Sequence, residues 1–209
     1  MATRILFLLL ITINNVGWAD DHYPGLQVDV KREGHLYTIT ASFDTPLSKC
    51  AAYRYLTDYA GAKDLPGMVE SLAYRQSANH VKVERTVNEH VLFFHFRIHS
   101  VMEYTENPFD SIAFTQLSGD SKMFQGNWEI EPNQQGSKLR FNGSWEPDTL
   151  IPFFIIDHFA KNGLIDKFSA IAQLAEKRKD LLSTSCMDRQ VVTLGPETGL
   201  ESVHNKLHQ

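Results

Sequence analysis

The chain has 209 residues, of which 43% are hydrophobic, 11% aromatic and 22% charged, enough apolar material for one sizeable core. Its 13 Phe, 7 Tyr and 3 Trp exclude a wholly disordered chain, and having only Cys50 and Cys186 excludes a disulfide-dense scaffold. The formal charge of −5, with Lys and Arg scattered apart from Lys31-Arg32 and Lys177-Arg178-Lys179, argues against a nucleic-acid partner, which requires a basic face.

Met1 to Ala19 reads as a secretory signal. Arg4 precedes an apolar run from Ile5 to Ile13, and small residues stand at Gly17 and Ala19, so cleavage is expected after Ala19. The run is well short of the ~20 residues a spanning helix needs. The expected location is a periplasm or the medium.

Leu36 to Phe43 alternates, with Tyr37, Ile39, Ala41 and Phe43 on one face and Thr38, Thr40 and Ser42 on the other, which predicts a half-buried strand. Thr45-Pro46-Leu47-Ser48 then opens a short helix through Leu56 with Ser48 as its cap, and Asp58 to Lys63 starts a second, ended by Leu65-Pro66-Gly67. From Met68 to Glu146 turn signals separate six further strands, seven in all, close enough for antiparallel hairpins. Phe124, Gly126, Trp128 and Ile130 share one face of the penultimate strand, and Leu139, Phe141, Gly143 and Trp145 one face of the last. The two glycines mark a bend or a close approach across the sheet.

After Glu146 the period becomes helical. Asp148 or Thr149 can cap one long helix from Ile151 to about Leu182, with apolar residues recurring through Phe154, His158, Phe159, Phe168 and Ala172. Mean globular helices have only about 11–12 residues, so this one is an organising element. Gly163 within it costs about 1 kcal/mol against Ala unless packing requires it. Ser183 to Gln209 is polar, carries no sustained period and is expected to be a mobile tail.

The stretch from Phe43-Asp44-Thr45-Pro46 through Tyr53-Arg54-Tyr55-Leu56-Thr57-Asp58-Tyr59 to Leu65-Pro66-Gly67-Met68-Val69 resembles the opening of polyketide cyclase/dehydrase-like and coenzyme Q-binding START-like (SRPBCC) domains. The resemblance spans about residues 34–182. It implies an α+β helix-grip fold, in which a seven-stranded curved antiparallel sheet wraps around a long C-terminal helix, with two short helices after the first strand. It also implies a pocket between sheet and helix for a sterol, lipid, isoprenoid quinone or aromatic polyketide-like ligand. It carries over no catalytic residue, because these families share no catalytic motif that matches this sequence position by position.

Candidate lining residues are Phe94, Phe96, Ile98, Phe114, Trp128, Phe141, Trp145, Phe154, His158 and Phe159, although aromatic residues at strand and helix spacing are also the normal filling of any core. The expected function is an exported carrier of a hydrophobic small molecule, touching a membrane only transiently during ligand exchange. The alternative is a cyclase/dehydrase-type enzyme using the same cavity, with His158 or a strand carboxylate (Glu103, Glu129, Glu131, Glu146) as base. Asp157 and Asp166 read as solvent-facing companions on the helix.

No cofactor and no metal are expected. His95 and His99 share a strand face but stand about 13 Å apart at ~3.3 Å per residue, too far to share one ion. No G-x-S-x-G, Walker loop or dinucleotide fingerprint is present. Cys50 and Cys186 are either a disulfide or two separate thiols. As a disulfide they would contribute roughly 4 to 5 kcal/mol in the chain-entropy model.

Overall fold

The computed structural model describes residues 22–91 and 94–193. The expected signal segment, residues 1–19, and residues 194–209 of the expected tail lie outside the described residues. In chain order the elements are β1 (Gln27–Glu33), β2 (Leu36–Thr45), α1 (Lys49–Thr57), a 3-10 segment (Ala60–Asp64), β3 (Met68–Arg75), β4 (His80–Val91), β5 (Phe94–Asn107), β6 (Ser111–Gly119), β7 (Ser121–Asn133), β8 (Gly136–Pro147), α2 (Phe153–Lys177) and α3 (Lys179–Thr193). The eight strands make one antiparallel sheet in the order β1-β2-β8-β7-β6-β5-β4-β3. Because β2 pairs with β8 while β3 is the opposite edge, α1 and the 3-10 segment carry the chain across the whole sheet. This is the helix-grip arrangement.

Eight strands stand where seven are expected. The additional one is β1, an edge strand whose only apolar side chains, Val28 and Val30, alternate with Asp29, Lys31, Arg32 and Glu33. An edge strand has one neighbour and a charged outer side, so its apolar signal is thin.

Apolar faces meet along the register. Tyr37, Ile39, Ala41 and Phe43 are buried on β2 and stand opposite Trp145, Gly143, Phe141 and Leu139 on β8. Gly126 and Gly143 face each other across β7 and β8. A Cβ on Gly126 would lie 2.9 Å from the Phe114 ring, and one on Gly143 would lie 2.7 Å from the Phe141 ring. The missing side chains let two aromatic rings lie down on the sheet.

Ser48 caps α1, its side chain accepting from the Ala51 N–H at 3.3 Å. The long helix is two helices. Its first half, α2, begins at Phe153 after Pro152 rather than at an Asp148 or Thr149 cap, and it ends at Arg178, whose ψ of 4° breaks the helical run. Arg178 turns back to the connection after α1, donating to Asp58 at 2.9 Å, Asp64 at 2.5 Å and the Gly61 carbonyl at 2.8 Å. The chain then continues as α3, so residues 183–193 of the expected tail are helical. Leu182 and Cys186, four residues apart, pack against the core, while Leu181 is exposed.

Cys50 and Cys186 form a disulfide with Cα atoms 6.2 Å apart, tying α3 to α1 across 136 residues of chain. In the chain-entropy model a loop of that length removes about 5 kcal/mol of unfolded-state freedom. Reduction, or Cys50→Ser with Cys186→Ser, is expected to lower unfolding free energy by about 3–5 kcal/mol and to open α3 to limited proteolysis; an unchanged denaturation midpoint would show that the bond leaves stability untouched.

At the far edge, α1 is anchored by a buried carboxylate. Glu106 on β5 has a side chain only 4% exposed. It accepts two bonds from the Arg75 guanidinium (2.9 and 3.1 Å), one from the Tyr59 hydroxyl (2.9 Å) and one from the Tyr53 hydroxyl (3.1 Å). Burial alone would raise its carboxyl, but the bonds from Arg75, Tyr59 and Tyr53 hold it below the usual 4.5. Burial and then the Glu106 charge push Tyr53 up to about 12. A carboxyl depressed in the folded state stabilises fully above its unfolded value and loses that contribution as pH falls through its folded one. Acid should therefore erode stability below about pH 4.5. Glu106→Gln should cost about 2–3 kcal/mol at neutral pH and remove that component of the acid dependence in a series of urea melts.

Candidate functional site

The concave face of the sheet is lined by alternate residues of every strand, and α2 covers it unevenly. α2 rests on β1 and β2. Its Phe168 ring reaches the sheet's middle, with centroids 5.1 Å from Phe141 and 5.9 Å from Trp128. Phe114 and Phe141 stack at 5.8 Å, and Tyr104 and Tyr59 continue the chain of rings at 5.8 and 4.7 Å. This is close aromatic packing, which fills most of the layer.

Over the outer strands the helix is held off. Lys167 of α2 reaches Glu89 of β4 at 2.5 Å, and the Glu89 side chain is 12% exposed. On the same inner face, β4 and β5 pair Val87 with Ile98 and Glu89 with Phe96, all partly buried. Next to them lies a void of about 100 Å³ lined by Tyr55, Leu56, Arg85, Tyr104, Ile112, Trp128, Ile171 and Leu174, with Asp58, Gly61, Ala62, Leu65 and Arg178 at its α1 end. A water's share of the liquid is about 30 Å³, so this is room for three or so waters or one small polar group. Ligand pockets for whole drug-sized molecules have about 300–1,000 Å³.

A second cavity of about 260 Å³ lies between β1, β2 and the first turns of α2, lined by Val30, Arg32, Tyr37, Asp157, Ala160 and Lys161. Asp157 is its centre: Arg32 donates from Nε at 2.8 Å and Nη2 at 3.1 Å, and the Tyr37 hydroxyl donates at 2.7 Å. Those bonds hold the Asp157 carboxyl below its usual range, while burial and then Asp157 push the Tyr37 hydroxyl well up. Asp157 thus faces the sheet, contrary to the solvent-facing position expected for it. Asp166 is exposed, with His22 at 3.1 Å.

The sequence-predicted residues divide among several places. Trp128 borders the sheet–helix void, whereas Phe114 and Phe141 are core. Phe96 and Ile98 are half-buried on the inner face of β5, and the Phe94 side chain lies outside the described residues. Trp145 belongs to the other end, packed on Tyr37 at 5.3 Å and donating from Nε1 to Ser121 at 2.9 Å. Phe159 lies along the helix over Gly163, where its ring stands 2.8 Å from the position of an added Cβ. That packing is what requires glycine there.

Two expectations are corrected. Phe154 is 73% exposed, and His158 is exposed with Asn162 at 3.4 Å, so neither side chain reaches the void. The apolar stripe of α2 runs through Ile156, Ala160, Leu164 and Phe168 instead, which rotates Phe154 and His158 outward. His95 and His99 are on the exposed outer face of β5. Glu131 pairs with Arg140 at 2.9 Å and Glu146 with Lys122 at 3.8 Å, and neither they nor Glu103 and Glu129 border the void.

Three inward charges escaped the sequence reading, Glu106, Arg85 and Glu89. All three are visible as breaks in an apolar alternation: Met102, Tyr104, Glu106 on β5 and Val81, Val83, Arg85, Val87, Glu89 on β4.

A family model for polyketide cyclase/dehydrase and lipid transport matches residues 45–169, more than half of the chain. The chain belongs to that family. The family match holds Arg85, Glu89, Glu106 and Lys167, and leaves out β1, most of β2, Arg178 and α3 with Cys186. Among solved structures, the chain is similar to a STAR-related lipid transfer protein from Xanthomonas axonopodis (TM-score 0.62, 12% identity, 73% of this chain and 94% of that one). It is also similar to a Thermus thermophilus protein (TM-score 0.60, 13% identity, 71% and 98%) and to a Streptomyces aromatase/cyclase (TM-score 0.56, 14% identity, 69% and 96%). At these identities the likeness is one of fold. No curated protein matches the sequence.

In this family member, the ion pair that spans the open side of the layer is a test of how α2 is held. Glu89→Gln and Lys167→Met should each cost about 1–2 kcal/mol, and a double-mutant cycle should return a coupling above about 0.5 kcal/mol; strictly additive losses would mean that the pair is no tether.

Proposed function

We propose that the protein is an exported carrier that holds a hydrophobic small molecule, a lipid, isoprenoid quinone or aromatic polyketide-like compound, between the sheet and α2. The observation that carries this reading is the partial cover of an apolar inner face. α2 packs on one side of the sheet and reaches β4 through the Glu89–Lys167 ion pair, and a void lies beside Trp128, Tyr104 and Ile112. A cavity of that size takes one end of such a ligand, and the rest is accommodated as α2 moves away from β4 and β5. The family's description names lipid transport, and similar folds belong to a lipid transfer protein and to aromatase/cyclases.

Export is supported by the signal-like residues 1–19 and by a disulfide, a bond that persists in oxidising compartments. Among the described residues no helix is long and apolar enough to cross a membrane. Leu150 and Phe154 are fully or largely exposed at the start of α2, and they are the surface through which the carrier touches a membrane while exchanging its ligand.

Native mass spectrometry of protein recovered from the exported fraction tests the reading. The expected spectrum shows a chain starting at Asp20 with a bound mass that organic extraction removes, and the extracted protein should then bind the neutral dye Nile red. Recovery of a chemically altered ligand after incubation would favour the cyclase/dehydrase alternative. An empty protein that fails to bind Nile red would sink both.

A further inference from the structure

We infer that Arg85 reads the polar end of the ligand, and that the ligand is a single-chain amphiphile ending in an oxyanion, a carboxylate or a phosphate monoester. The inference rests on the sheet–helix void being the binding site.

Arg85 stands on β4 between Val83 and Val87, on the inner face, opposite Ser71 of β3 and Ser100 of β5. Two small neighbours leave room for its head to stay within the layer. The guanidinium donates to the Tyr104 hydroxyl at 2.8 Å and to the Ser71 hydroxyl at 3.3 Å, and it lies over the Tyr104 ring at 5.5 Å. All of these partners are neutral. The other cations of the layer are paired with carboxylates: Arg75 with Glu106, Lys167 with Glu89, and Arg178 with Asp58 and Asp64. Among the described residues no carboxylate pairs with Arg85. A half-buried cation without a counter-charge costs free energy that a bound anion recovers.

The donors suit an oxyanion. A guanidinium has five N–H groups in a planar fork that matches carboxylate and phosphate oxygens, and the two protein bonds leave three unused. Tyr104, whose oxygen accepts from Arg85, keeps its own proton to donate. Asp58, the carboxylate at the α1 end of the void, is already engaged by Arg178 at 2.9 Å, a cation it shares with Asp64. The void of about 100 Å³ holds a carboxylate or phosphate and its first carbons, and its walls of Ile112, Trp128, Ile171 and Leu174 suit an alkyl chain. A neutral quinone or polyketide ring satisfies neither the charge nor the volume as well.

Displacement of Nile red by dodecanoate, dodecanol and dodecyl phosphate, each below its micelle concentration, tests this. Wild-type protein should bind at least one of the two anions tenfold or more tighter than dodecanol, the tighter anion assigning the head as carboxylate or phosphate. Arg85→Gln should abolish the preference, bringing anion affinity down to that for dodecanol measured on the same variant, and Arg85→Lys should keep part of it. Equal displacement by all three in wild type overturns the inference and leaves the carrier reading standing. That comparison needs no variant, so it decides even where Arg85→Gln fails to fold. No Nile red binding removes the carrier reading itself.

Discussion

A curled antiparallel sheet presents more apolar inner surface than one helix can cover, and the arrangement of the rest of this protein answers that shortfall. Phe168 and the small residues Ala160, Ala172 and Ala175 bring α2 down onto the middle and the β1–β2 side. Aromatic rings laid over Gly126 and Gly143 thicken the sheet from within. On the β4–β5 side Val81, Val83, Met102 and Tyr104 join the same core, and there the inner face also carries charges: Glu106, Glu89 and Arg85. Apolar packing and ion pairing divide the layer between them, and the void lies at their boundary.

The connection after α1 and the C-terminal helix close one end of that layer together. Arg178 stitches the break between α2 and α3 to Asp58, Gly61 and Asp64, and the disulfide stitches α3 to α1. Ends so fixed leave the Glu89–Lys167 side as the place where the layer can widen at low cost, since an ion pair exchanges for water more readily than aromatic packing is undone. Stability is thus concentrated at the α1 end of the layer.

Much of the fold was legible from alternation. The inner rows of β2, β7 and β8 were read correctly because a strand with one buried face repeats every two residues, whatever it pairs with. The edge strand β1 was not, having two valines among charges. The long helical period after Pro152 was visible, yet its break at Arg178 was not, because the cause lies in Asp58 and Asp64, over a hundred residues away. The site was less legible. Phe154 and His158 fit an apolar stripe drawn on a helical wheel, but the wheel does not say which flank of a wide stripe the sheet will occupy, and the sheet takes Ile156 and Ala160.

What the sequence by itself determined is therefore periodic and local: the faces of the strands, the cap at Ser48, the helical tract and the order of elements that places them in a START-like fold. What only the tertiary structure decided is the partner of each charge turned inward. Glu106 and Arg85 break their strands' apolar alternation in the same way, and nothing local separates them. One is met by Arg75 and two tyrosines from α1 and its following turn, and the other by neutral hydroxyls beside a void. Pairing energy depends on distance through space between elements remote in the chain, so a carboxylate met by a cation and a cation met only by neutral hydroxyls become distinguishable only once the sheet has closed around its helix.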